Sequence, residues 1–574
     1  MMKSFSSILA TLVILNLCVF SNAYALELYV DTKTKQVFAE PGPGRILMGT
    51  YVKTDSPSVQ PESPKVAGTP SPVSTESAKK EAVAGSTLMR EDKTTEVADK
   101  TTHERLVSQV SVLEERIKDV EKIHGTFDDR GLHWETKDGN FSMSINGRLQ
   151  PASQYNFIND PDPAFGTHTA NELNSGMNIR RARLGAEGTF YKIWDYKFEF
   201  DFSRGNGSVG SGITDAFVRL NHTDALSYKI GSFKEPFSLE EAASNRFLTF
   251  IERHMSVNSF VDNPNTYKTG IGANYAVTRF QTGLAFQTEP IGAWSAASTS
   301  VNANGNQSRN NGSGDTGWQG IGRISGRPWM EDETKFLHVG ISAGHTVVNT
   351  QYRADGTMVG EGSNGGGGGM SFVAFPGTNV DRSNVLNTGN LSYGALNDPN
   401  RREINSYDRY GAEAWFVHGP FSAQAEFLRT NINGVGYGNE HLTGYYGYVS
   451  YFLTGESKAY HVRNGAANRL RPNRPFQWNG SGWGAFEIAA GYDYIDMNSG
   501  VIRGGRADML RFGFNWYPHS NVKFQANVVH MLDINTARTP ITNTEGYSGG
   551  AGARTNGWNN GDFSAFLTQW TIDF

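Results

Sequence analysis

Arg181 and Arg183 stand two residues apart, interleaved with Ala182, Leu184 and Ala186, so in an extended chain both guanidinium groups leave the same face. A guanidinium stays charged and offers a planar fork of donors. It can therefore replace part of the water around a phosphate-like anion with charge-assisted hydrogen bonds. Arg219 and Lys523 hold the equivalent parity in the runs 214–220 and 522–528, and Arg148 and Lys229 join them on a less regular pattern. Arg180 has the opposite parity and is expected to point away from that face. The ionic faces also carry Glu187, Asp195 and Asp215, which leaves two readings open for each cation. It meets a passing anion, or it pairs with a neighbouring acid and braces the wall. From residue 140 onward 35 Lys and Arg stand against 37 Asp and Glu, so any preference for anions must be local.

The elements that position these residues read as strands. Residues 194–203 run W-D-Y-K-F-E-F-D-F-S, with rings at 194, 196, 198, 200 and 202 and a polar group between each pair. Successive strand side chains point to opposite faces, so one side suits hydrocarbon and the other salt water. A helix would scatter the same residues around its circumference. The alternation recurs through Phe280, Leu284 and Phe286, through Leu337, Val339 and Ile341, and through Phe421, Ala423, Ala425 and Phe427. It ends on Phe566, Trp570, Ile572 and Phe574.

Connections differ in kind. The turn 517–521 is tight, whereas 291–317 and the stretch holding Gly365 to Gly369 are long and rich in Gly, Asn and Ser. A pair of soluble sandwiches would also alternate. The aromatic strand ends, the terminal Phe574 and roughly sixteen runs of about ten residues point instead to a transmembrane barrel with an aqueous lumen. The expected fold is all-β: a 16-stranded antiparallel transmembrane β-barrel over 140–574.

The N-terminal part is organised differently. Lys3, the apolar run 8–20 and Ala23-Tyr24-Ala25 have the layout of a signal peptide over 1–25. Cys18, the only cysteine, falls inside it, so the exported chain would carry no thiol. Residues 26–53 read as a small hairpin segment with Leu28 and Val30 facing Val37. Residues 54–102 are Ser, Thr, Pro, Lys, Glu and Ala, a composition that buries too little to order itself. Leu106, Val110, Leu113, Ile117 and Val120 recur at spacings of 4, 3, 4 and 3, predicting a short periplasmic coiled-coil helix over 103–125. So short a coil is unstable alone. It fits a chain already held in an oligomer, or else an amphipathic helix lying on the barrel rim.

Several stretches carry a resemblance: Arg180-Arg181-Ala182-Arg183-Leu184-Gly185, then Gly231 to Glu241 as G-S-F-K-E-P-F-S-L-E-E, and Phe250-Ile251-Glu252-Arg253. Ser450 to Glu456, Ala490 to Met497 and Asn515-Trp516-Tyr517 follow in order. Across about 140–574 the chain resembles the phosphate-selective porin O/P family. The resemblance implies a trimeric 16-stranded outer-membrane channel. It implies Arg181 and Arg183 as lumen arginines, and Lys234 and Arg253 as groups of a constriction loop. The family's other constriction lysines find no match here. The segment 233–260 suits such a loop: Pro236 stops a strand, 240–250 has helical composition, and Arg246 adds a third cation.

The expected activity is passive diffusion of small inorganic anions, phosphate first, through the outer membrane of a bacterial cell. The expected partners are outer-membrane lipid and two further copies of the chain. One alternative is a weakly selective or cation-preferring porin of the same fold. Another is an envelope protein whose N-terminal coil tethers the outer membrane. A net charge of −5 gives no reason to expect nucleic acid. No cofactor or metal is expected, because the 13 histidines lack ligand spacing such as H-E-x-x-H. Enzyme signatures are weak: Gly340 to Gly344 fits G-x-S-x-G but lies within a strand pattern instead of at a strand-to-helix elbow.

Overall fold

The computed structural model describes residues 26–31, 37–38, 45–51, 104–112, 123–128, 131–161, 172–204, 212–262, 267–288, 317–348, 371–389, 391–535 and 560–574, with isolated positions at 291, 352, 356 and 558. The expected signal peptide and the linker 54–102 lie outside the described residues. Two compact units divide at 93/94. In the first, Leu26–Asp31 pairs with both Val37–Phe38 and Arg45–Tyr51, so the expected hairpin is a three-stranded antiparallel sheet. Val30 lies opposite Val37.

The second unit is a closed barrel. Its strands are β1 Phe141–Asp160, β2 Gly176–Phe190, β3 Trp194–Asp201, β4 Ile213–Asn221, β5 Leu226–Lys234, β6 Tyr267–Val277, β7 Phe280–Gln287 and β8 Trp318–Asp332. They continue with β9 Lys335–Val347, β10 Glu403–His418, β11 Phe421–Val435, β12 His441–Phe452, β13 Ala485–Ser499, β14 Ile502–His519, β15 Val522–Asn535 and β16 Asp562–Asp573. Each strand pairs antiparallel with the next, and β16 closes on β1 through pairs such as Phe566 with Tyr155. Among the described residues no helix is long and apolar enough to cross a membrane; the crossing is made by strands.

The period-two pattern becomes an inside and an outside. On β3, Trp194 and Phe198 are exposed while Glu199 and Asp201 are buried. Ile341 on β9, Phe427 on β11 and Phe512 on β14 face outward in the same way. Closure brings the chain end home: Gly147 N donates to Phe574 O at 3.0 Å and Phe574 N to Gly147 O at 3.1 Å. A Cβ at Gly147 would lie 2.5 Å from the Phe574 ring, so only glycine lets the terminal aromatic seat there.

Two boundaries differ from expectation. Helix occupies 104–112, and the strand Ile123–Asp128 begins before the predicted coil was to end at 125. That strand pairs with Gly131–Thr136, which in turn pairs with β1, so the barrel sheet starts ahead of 140. Residues 113–122 lie outside the described residues. The second difference is Arg180. Gln150 lies opposite Arg181 and Pro151 opposite Ile179, which leaves Arg180 as the extra residue of a β-bulge. Pro151 has no N–H to give the ladder, and the bulge sits where it interrupts the pairing. Strand parity fails there, and Arg180 turns inward with Arg181.

Candidate functional site

Among the described residues, three connections fold into the barrel. The first is 235–262, between β5 and β6. It opens on a short helix, α1 Leu239–Ala242, whose N-cap Ser238 accepts from Glu241 N, and closes on a helical turn at Met255–Val257 that runs into a π-helical turn at Asn258–Asp262. Wall residue Glu426 caps the same end, accepting from Leu239 N at 3.0 Å and Glu240 N at 2.7 Å. The helical stretch expected over 240–250 therefore ends early: Ala243 is already extended. The wall takes up the carbonyls that follow. Lys523 Nζ donates to Leu248 O at 2.5 Å, and Arg511 donates to Glu252 O at 2.8 Å and Arg253 O at 3.1 Å. Phe237, Phe250, Ile251, Met255 and Phe260 are buried against the inner wall. Burying each such side chain contributes about 2 kcal/mol, so apolar packing, more than any single ion pair, holds the segment in place.

The second inward connection, 453–484, joins β12 to β13 at the end where the other turns are short. Arg323 holds its tip, donating to Asn464 O at 2.7 Å and Gly465 O at 2.8 Å while it pairs with Glu413 at 2.6 Å. Lys458 meets the first connection, donating to Thr249 Oγ1 at 2.7 Å and pairing with Glu487 at 2.5 Å. The third contributes 371–389: Arg382 comes within 3.6 Å of Glu252, and Val380 N and Asp381 N donate to Gln154 Oε1.

Arg180 Nε donates to Glu252 Oε1 at 2.6 Å, tying the bulge to the first connection. Burial would raise the Glu252 carboxyl, but Arg180 and Arg382 outweigh it and hold it at about 2. Glu235 behaves likewise: Arg409 and Lys268 overcome its burial and keep it at about 2. Burial pushes Glu240 up to about 7 and His254 down to about 3. Those two hydrogen-bond through His254 Nδ1 at 2.8 Å, with His254 stacked 3.7 Å from Tyr446.

Between the inward connections and strands β1 to β8 lies a vestibule of about 830 Å³. Its lining includes Arg148, Arg183, Arg219, Lys229, Lys234 and Arg246 from the sequence-derived candidates. Arg181 is buried beside it, donating to Gln150 Oε1 at 3.0 Å, with no carboxylate at ion-pair distance among the described residues. Arg183 pairs with Glu199 at 2.6 Å and Asp201 at 2.9 Å, and Arg219 pairs with Asp195. Arg148 lies 3.5 Å from Glu199 and donates to Asn245. Lys234 and Arg253 share Glu241 at 2.9 and 2.8 Å, and Arg246 pairs with Asp573 at 2.9 Å. Lys523 reaches the loop backbone, and the Lys229 ammonium lies over the rings of Phe217 and Phe233.

Sequence reading had not singled out Arg409, Arg511 and Glu235, which hold the first connection, or the inward course of 453–484. A usable signal for the latter was present: thirty-odd residues stand between two strands at the end where a tight turn is the rule.

The model for phosphate-selective porin O and P matches residues 155–547, from the loop end of β1 through β15. The chain belongs to that family. Porin O of Pseudomonas aeruginosa is 28% identical over 441 residues, covering 74% of this chain and 89% of the relative. An uncharacterized protein of Caulobacter vibrioides is 26% identical, covering 65% of each. Solved structures with loose overall likeness include the anion-selective porin from Comamonas acidovorans, 11% identical, covering 76% of this chain and all of that one at a TM-score of 0.42. OmpT of Vibrio cholerae is 7% identical, covering 76% of this chain and 98% of that one, also at 0.42. As a member of the phosphate-selective porin O and P family, the chain is a β-barrel porin of the bacterial outer membrane, a channel by family and fold.

Proposed function

We propose that this porin passes small anions, with phosphate among them, by diffusion through a lumen narrowed by its inward connections. One observation carries the reading: cations outnumber acids around the vestibule, and two of those cations stand nearer the water than the carboxylates they pair with. Lys234 keeps 22% of its side chain exposed against 0% for Glu241, and Arg246 keeps 20% against 5% for Asp573. The lining itself holds nine Lys and Arg against five Asp and Glu. A solute in the cavity thus meets positive charge first, and low-dielectric walls focus that field. In this reading Lys234 and Arg246 face the constriction, Arg148, Arg183, Arg219 and Lys229 line the approach, and Lys523 and Arg253 hold the loop that forms the constriction. The family affiliation favours a homotrimer, with the helix around 104–112 as part of an oligomerising coil and residues 1–25 as an export signal.

A second reading, weak selectivity, is favoured by the ion pairing of Arg183, Arg219 and Arg253. Zero-current potentials in a KCl gradient across planar bilayers separate the two. An anion-selective sign, reduced by Arg181→Gln with Arg183→Gln, supports the first. A cation-selective or null potential rejects it.

A further inference from the structure

Lys229 differs from every other cation lining the vestibule. Among the described residues no carboxylate lies within ion-pair distance of its ammonium, which sits 4.7 Å from the Phe233 ring centre and 5.5 Å from that of Phe217. The two rings meet edge to face, 6.5 Å apart at 84°. Phe233 is buried; Phe217 is half-buried and borders the cavity together with Lys229. Nearby, Arg219 and Arg463 share the single carboxylate of Asp195, with Arg463 at 3.8 Å and 37% exposed, and Asp215, the acid that attracts Lys229, is itself paired with Lys197 at 3.5 Å, so Lys197, Arg219, Lys229 and Arg463 face Asp195 and Asp215 in this corner. At about 830 Å³ the cavity falls within the range that holds organic ligands and far exceeds a hydrated inorganic ion.

An inorganic anion gains nothing from the rings. A carboxylate attached to a flat apolar body gains twice: its charge meets an ammonium that has no carboxylate at ion-pair distance among the described residues, and its ring packs against Phe217. We propose that the Lys229, Phe217 and Phe233 corner is a transit site for monoaromatic carboxylates. The proposal rests on the anion reading above and adds a solute class to it.

The test uses purified full-length protein in planar bilayers, with chloride current titrated by benzoate, acetate and inorganic phosphate in turn. Benzoate is expected to halve the current at roughly a tenfold lower concentration than acetate or phosphate. Phe217→Leu should bring benzoate towards acetate, and Lys229→Gln should weaken both acids. A far-ultraviolet circular dichroism spectrum matching that of the parent protein shows that each variant folds. Equal potency of benzoate and acetate overturns the proposal, as does a benzoate advantage untouched by both substitutions. A cation-selective zero-current potential on the same membranes would reject the anion reading itself. An anion-selective potential with equal potencies rejects only the aromatic site.

Discussion

Arg180 and Glu252 are joined by two hydrogen bonds, 2.6 and 3.1 Å, that link a β-bulge in the wall to the inward connection. Glu252 also lies 3.6 Å from Arg382, so one carboxylate serves two guanidinium groups, with Arg181 close behind. Glu252→Gln should therefore leave uncompensated positive charge at this narrowing. At aqueous screening one unit charge at contact is worth about 1 kcal/mol, so the anion-to-cation permeability ratio should rise roughly fivefold. Zero-current potentials check this. A fall in the ratio would mean that the solute path runs elsewhere.

Arg511 spends its charge on structure. It pairs with buried Asp493 at 2.5 Å and donates to the carbonyls of Glu252 and Arg253. Arg511→Met strands Asp493 and two carbonyls, and breaking such a buried pair costs about 3–5 kcal/mol locally. The connection 235–262 should become sensitive to protease while the barrel stays folded. Arg511→Met with Asp493→Leu, which removes the stranded charge but leaves the two carbonyls and Met255 N without their partners, should restore part of the resistance. Equal sensitivity of the single and double variants would contradict the assignment.

The pair Glu240 and His254 makes the loop's stability depend on pH in two opposing ways. Glu240 is raised from 4.5 to about 7, so the native state holds a proton that the unfolded state has lost, and stability declines as pH rises between those values. His254 is depressed from 6.5 to about 3, so the unfolded state takes up a proton the native state refuses, and stability declines as pH falls between those values. The slopes cancel where the windows overlap. Hydrogen exchange of 239–262 should be slowest on a plateau between pH 4.5 and 6.5 and quicken on either side, after correction for intrinsic rates. Protection that rises steadily from pH 5 to 8 would contradict it.

Much of the barrel was legible because one strand parity separates two solvents, as in 194–201, where Trp194 and Phe198 face out and Glu199 and Asp201 face in. The site was less legible for two physical reasons. A bulge shifts parity by one residue, and Arg180 changed sides on the strength of a proline opposite it. The inward connections are held by long-range bonds, such as Arg409 to Glu235 and Lys458 to Thr249, that have no local spacing. A lysine aimed at a backbone carbonyl, like Lys523, looks the same in sequence as one aimed at water.

Introduced thiols test directly whether Lys229 stands in an anion-attracting aqueous path while its neighbour Tyr228 faces lipid. Because the chain has a single cysteine, Cys18, introduced thiols report cleanly. Lys229→Cys and Tyr228→Cys can be exposed to anionic and cationic thiol reagents during current recording. Lys229→Cys should react roughly tenfold faster with the anionic reagent, changing the current, and Tyr228→Cys should leave it unaltered. Faster reaction of Lys229→Cys with the cationic reagent, or a current change at Tyr228→Cys alone, would contradict it.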